Sequence, residues 1–258
     1  MRRALLLTFV LSLLCPSSMP CYAEEPARAA PPSQAAPSAV FGRLRDYLVT
    51  SPLDFDTSFV ARNETLGTTR GTARNLIKHP NLFRIDSTVG KHSYVVVSDG
   101  RLMTIYLPDE HKYAELPAPG SAREGLGLVT GLMAAQSSVL SFIGVIDDVA
   151  SGREGYKVSA APAEAIGGRH CDGFTIVDAT LDITYRWKVW LEKKDVALPC
   201  KVESGSDDQI DFGTRTNEFS WKQNPVFPQD AFKFAPPAGA KKVDVGDLDL
   251  SPPADVHE

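Results

Sequence analysis

Apolar residues recur along this chain in three rhythms, and each predicts a different element. Between Phe55 and Leu116 they alternate with polar residues in short runs: Phe55–Leu66, Gly71–Lys78, Leu82–Val89, Ser93–Ser98, Arg101–Leu107 and Lys112–Leu116. A period of two puts successive side chains on opposite faces, as in strands with one buried and one wet side. Asn63, Gly67, His79-Pro80-Asn81 and Asp99-Gly100 punctuate the runs, and Asp99-Gly100 is a two-residue hairpin signal. An antiparallel meander is therefore expected. Alternation resumes in Tyr156–Ala160, Cys171–Val177, Ile183–Glu192, Pro199–Ser204 and Asp208–Trp221. Within Ile183–Glu192 the odd positions are apolar, while Trp190 stands on the polar side, where packing against a neighbouring loop is its expected role.

The second rhythm is helical. Val40, Phe41, Leu44, Tyr47 and Leu48 share one face of a helix that Ser38 caps and Pro52 ends. The third is the stretch Gly125–Ile146, which carries no charged residue and has to be hidden from water. Its glycines, serines and Gln136 dilute it below the apolarity of a membrane-spanning helix. Leu128, Leu132, Val139, Phe142, Ile143 and Ile146 recur at helical spacing and predict one or two core helices ending at Asp147-Asp148. A composition so rich in small residues fits a weakly held lid and a closely packed helix equally well.

Met1–Ala23 has the three parts of a secretory signal: Arg2 and Arg3, the apolar run Ala4–Leu14, and a polar segment ending in Ala23. Cleavage after Ala23 and export to the periplasm are expected. Lipid attachment at Cys15 or Cys21 is disfavoured, since Leu14 and Pro20 are not the small residues that precede a lipidated cysteine. Residues 24–38 are rich in Pro and Ala and read as a linker, 39–245 as one folded domain, and 246–258 as an acidic disordered tail. Removing Arg2 and Arg3 takes the net charge from -5 to -7, a balance that does not favour nucleic acid.

Candidate chemistry is sparse. No histidine spacing gathers metal ligands on one face, and His170-Cys171-Asp172 alternates across a strand, so its side chains diverge. Neither a nucleophile elbow nor a phosphate-binding glycine loop is present, so no enzyme, cofactor or metal is expected. Cys171 and Cys200 are the thiols left after processing, and an oxidising compartment favours their pairing. The sheet expected from the turns opposes it, setting their Cα atoms about two strand spacings, roughly 10 Å, apart, beyond the ~7 Å limit for a bridge. Unpaired, they would be small core residues.

The segments SDGRLMTIYLPDEHKYAELPAP (98–119), WKVWLEKKDVALPCKV (187–202) and DAFKFAPPAGAKKV (230–243) occur in an order that resembles an uncharacterised family of predicted periplasmic proteins. That family is related to the lipoprotein carriers and outer-membrane lipoprotein receptors (LolA/LolB-like), and the resemblance extends over roughly Val40–Val243. It implies an α+β fold: a strongly curved antiparallel sheet, or half-open β-barrel, with helices filling the concave side and a hydrophobic cavity between. Gly125–Ile146 would be the lid. No binding residue transfers position by position from the true carriers.

The expected role is to hold an apolar ligand, a lipid or a lipoprotein acyl chain, with an envelope protein as a further partner. Expected contacts are Leu128, Leu132, Met133, Val139 and Phe142 from the lid, and Tyr94, Val96, Tyr185, Trp187 and Val189 from the strands. The alternative is a scaffold or sensor module that binds another protein and fills its cavity with its own side chains.

Overall fold

The two-residue alternation becomes the strands of one sheet. The computed structural model describes residues 37–64, 67–132, 138–179, 184–206 and 213–250. The first meander comprises β1 (Leu53–Asn63), β2 (Gly67–Lys78), β3 (Leu82–Val89), β4 (His92–Asp99), β5 (Leu102–Leu107) and β6 (Lys112–Pro117). The second comprises β7 (Tyr156–Ile166), β8 (Arg169–Asp178), β9 (Tyr185–Glu192), β10 (Pro199–Ser206) and β11 (Thr214–Trp221). A short β12 (Lys241–Lys242) follows near the C-terminus. The order is β12-β6-β5-β4-β3-β2-β1-β11-β10-β9-β8-β7, antiparallel except for the parallel β12–β6 pair. The two meanders join where β1 pairs with β11, and the sheet is curved and open rather than a closed barrel.

Local chemistry fixes the turns. At Asp99-Gly100 the Asp99 Oδ1 accepts the backbone N–H groups of Arg101 and Leu102, each at 2.8 Å, and Gly100 takes a φ of +87° that suits glycine. The Leu102 bond and then that of Arg101 hold the Asp99 carboxyl below its ordinary value of 3.8.

Three helices cover the concave face: α1 (Pro37–Thr50), α2 (Ala122–Leu132) and α3 (Ser138–Ser151). Phe41, Leu44 and Leu48 of α1 are buried at the expected helical spacing. They pack in one core with Leu126 of α2, Phe142, Ile146 and Val149 of α3, and inward strand residues such as Phe55, Phe83, Ile105, Val189 and Phe219. The uncharged stretch thus supplies parts of two helices. The second runs past the expected stop at Asp147-Asp148 to Ser151, and both acids are paired: Asp147 accepts from Arg123 of α2 at 2.6 Å and Asp148 from Arg153 at 3.1 Å. Its end is set by Gly152, at φ +70°, with Arg153 N–H donating to Asp148 O and Gly152 N–H to Val149 O.

Two further expectations give way. Cys171 and Cys200 are joined in a disulfide with a Cα–Cα distance of 6.6 Å, not the expected 10 Å. Pro199 pairs with Leu191 and Lys201 with Trp190, leaving Cys200 as an extra residue in a β-bulge. The bulge bends β10 and brings Cys200 across the end of β9 to Cys171, which lies opposite Glu192. Trp190 is buried with both cysteines and Ile166 on the outer face, its Nε1 donating to Pro162 O at 3.2 Å and Lys201 Nζ 3.9 Å from its ring centroid.

The chain also stays in the fold beyond Gly246. Phe234 packs on Tyr106 and Tyr113, Lys241 N–H and Val243 N–H donate to His111 O and Tyr113 O beside β6, and Leu248 enters the main core. A leucine that completes a core outweighs the acidic composition around it. The signal-like start, most of the linker, Met133 and residues 251–258 lie outside the described residues.

Candidate functional site

An apolar cleft of about 480 Å³ opens between the helices and the ends of β1 and β2. Leu48 and Val49 of α1, Leu53 of β1 and Ile77 of β2 form one side; Leu126 and Gly127 of α2 with Ile143 and Gly144 of α3 form the other. His79, Ser121, Ala122 and Arg123 complete the lining. Its size lies in the usual range for a small-molecule pocket, about 300–1,000 Å³.

The walls are held by local chemistry. The His79-Pro80-Asn81 turn ties three elements together: His79 Nε2 is 3.1 Å from Leu48 O, Ala122 N–H donates to Pro80 O at 2.6 Å, and Asn81 Nδ2 donates to Gly100 O and Pro119 O. Ser121 caps α2 by accepting the Glu124 N–H at 3.1 Å, while Glu124 reaches back to the Gly120 N–H at 3.0 Å. The start of α2 is therefore fixed over the sheet.

Glycine placement decides where the helix layer is tight and where it is roomy. A methyl group on Gly125 would stand 2.5 Å from the Phe83 ring and 2.6 Å from Pro119, so α2 touches the sheet there. At Gly127 and Gly144, which face the cleft, a methyl group would meet no atom of the described residues within 4 Å. Val49 on the rim and Leu128 on α2 are 41% and 47% exposed, large apolar side chains at the surface of this layer.

The positions expected from sequence fall elsewhere. Tyr94, Val96, Trp187, Val189 and Phe142 are buried in the main core, with Phe142 and Trp187 ring centroids 6.3 Å apart, and Tyr185 packs at its margin. Leu132 and Val139 lie on α2 and α3. None of the expected positions whose side chains are described lines the cleft. The residues that do line it include Leu48, already legible on the apolar face of α1, and His79, which the sequence marked only as part of a turn.

A strip that includes polar residues crosses the inward face of β9, β10, β11 and β1. Trp187 lies opposite Ser204, Ser204 opposite Arg215, and Arg215 opposite Ala61, so the four share one cross-strand row. Ser204 is buried, and Asn217, next inward on β11, is buried as well. The Arg215 guanidinium stacks 3.9 Å from the Phe59 ring centroid, and its Nε donates to Asn217 Oδ1 at 3.4 Å. Burial lowers its pKa to about 10, with the Tyr185 phenol pulling the other way, so it remains a cation at neutral pH. Trp187 Nε1 is buried and meets no hydrogen-bond partner among the described residues.

A larger depression of about 840 Å³ lies mainly on the outer face, and its walls include two ion pairs, Arg74 with Asp56 at 3.2 Å and Lys194 with Glu192 at 2.7 Å. Among the described residues no cluster of three or more His, Cys, Asp or Glu could hold a metal ion, and no helix is long and apolar enough to cross a membrane.

Among solved structures, the Mycobacterium tuberculosis lipoprotein LppX is similar at 14% identity, covering 74% of this chain and 99% of its own, with a TM-score of 0.40. An uncharacterised conserved protein from Thermus thermophilus is similar at 12% identity, covering 80% and 97%, with a TM-score of 0.44. A LolA superfamily protein from Nitrosomonas europaea is similar at 9% identity, covering 78% and 99%, with a TM-score of 0.37. No protein of curated function matches the chain in sequence. A family model matches residues 44–246, and the chain belongs to that family, described as predicted periplasmic protein (DUF2092).

Proposed function

We propose that this is an exported periplasmic binding protein that holds an apolar ligand, a lipid or a lipoprotein acyl chain, between its curved sheet and its helical lid, after cleavage of a signal peptide. The observation that carries the reading is the apolar cleft whose lid-side wall is left open by Gly127 and Gly144. Apolar chains gain about 0.8 kcal/mol for each methylene removed from water, so such a cleft binds without any covalent step. Phe142 of α3 packs against Trp187, and these two with Val189 would line an extension of the cleft when the helices part. Leu128, Leu132, Met133 and Val139 would border the same opening from the lid, and Tyr94, Val96 and Tyr185 from the sheet.

A second reading, a module that binds another protein, draws support from the burial of Tyr94, Val96, Trp187 and Val189 in a core already filled by side chains. An apolar fluorescent dye separates the two. Under the first reading, dye fluorescence rises on binding and falls again as a fatty acid displaces it. A folded protein that leaves the dye unchanged would favour the second.

A further inference from the structure

We propose that the cleft selects a neutral acyl ester, whose carbonyl Ser121 and Arg123 receive at the rim, and that Asp147 turns away free carboxylates. This rests on the apolar-carrier reading above and adds the chemistry of the ligand's polar end.

The cleft has one polar edge. Leu48, Leu53, Ile77, Leu126 and Ile143 give it apolar walls, and its polar side chains are His79, Ser121 and Arg123. These three belong together: the Ala122 N–H donates to Pro80 O at 2.6 Å, His79 precedes Pro80, and Ser121 and Arg123 flank Ala122. A chain lying along the apolar walls therefore brings one end of the ligand to this edge.

The edge offers hydrogen-bond donors. His79 Nε2 faces Leu48 O, a carbonyl that only accepts, so that N–H is committed to holding α1. The Ser121 hydroxyl accepts the Glu124 N–H, and its own hydrogen has no protein acceptor among the described residues. Arg123 gives an N–H from Nη1 to Asp147 at 2.6 Å, and the rest of its fork has no acceptor among the described residues.

The charge at the edge, by contrast, is balanced. Arg123 is the one lysine or arginine in the lining, and the Asp147 carboxylate sits on it. Their side chains are 55% and 37% exposed, so a ligand head reaches the pair from the rim. A carbonyl oxygen takes hydrogen bonds from these donors without needing a surplus of positive charge. A carboxylate loses more hydration on entry and meets Asp147 as a like charge.

The test uses the full chain, delipidated, with an apolar fluorescent dye displaced by methyl dodecanoate or by dodecanoate at neutral pH. The native chain should prefer the ester. Asp147→Asn leaves the Arg123 cation unbalanced and should strengthen dodecanoate about tenfold relative to the ester, the size of a charge-assisted hydrogen bond. In Arg123→Met/Asp147→Asn that gain should vanish, because the cation is gone. Arg123→Met alone should weaken the ester about fivefold, and Arg123→Lys, which keeps a donor and the pairing charge, should recover most of that loss. General damage to the fold would weaken ester and acid alike and leave their ratio unmoved. A ratio that Asp147→Asn does not change, or changes equally without Arg123, overturns the proposal and leaves the apolar-carrier reading standing, as does a native preference for the acid. Displacement by neither ligand overturns both.

Discussion

Gly144→Leu fills the proposed cleft from its lid side. A methyl group at this position meets no atom within 4 Å among the described residues, so the first carbon of a new side chain enters open space on the cleft side. A leucine side chain occupies the room of roughly four chain methylenes. At about 0.8 kcal/mol each, excluding them costs the ligand about 3 kcal/mol, or about two-hundredfold in affinity. Gly144→Ala adds a single carbon and should weaken binding only about fourfold. Stability should move the other way, because replacing a helix-interior glycine gains up to about 1 kcal/mol in propensity. Fatty-acid displacement of an apolar dye, read beside thermal unfolding, measures both. A graded loss of binding with unchanged or raised Tm is expected. Unchanged affinity in folded Gly144→Leu would refute the placement of the chain in this cleft.

Gly125→Ala makes the opposite case: the added methyl strikes the Phe83 ring and Pro119, and overpacking of about 1–3 kcal/mol should exceed the propensity gain and lower the urea midpoint. Replacing both Cys171 and Cys200 with Ala opens a loop with a sequence separation of 29, so unfolding in urea should show a loss of about 3–4 kcal/mol by the chain-entropy estimate. Asp99 has a folded pKa below its unfolded value of 3.8, so its contribution is present above that pH and lost as pH falls through the lower folded value. Asp99→Asn should flatten that acid-limb slope of stability against pH, and an unchanged slope would count against the turn as its source.

The fold was legible because its main signals are local. Alternation marked every long strand, Asp99-Gly100 marked its hairpin, and the spacing of Phe41, Leu44 and Leu48 marked the inner face of α1. The abundance of small residues in Gly125–Ile146 showed that a helix layer would be close in places and open in others. It did not show where, because Gly125 and Gly127 differ only in which side of α2 they occupy, and that depends on the tilt of the helix over Phe83. The disulfide was obscured by one extra residue at Cys200, since a bulge moves a cysteine across a strand without leaving a periodic trace. Leu248 was hidden by its acidic neighbours, and its role follows from Lys241 and Val243 pairing beside β6. His79 at the cleft and Arg215 on the polar strip had no motif to announce them. Their placement follows from register and from turns joining elements far apart in sequence.

Whether the protein holds an apolar ligand is read by native mass spectrometry of the chain isolated from the periplasm without detergent, followed by organic extraction of whatever accompanies it. An apolar carrier should show an added mass that extraction releases as an acyl-bearing species and that Gly144→Leu reduces. An unmodified protein mass that persists after incubation with lipid would contradict it.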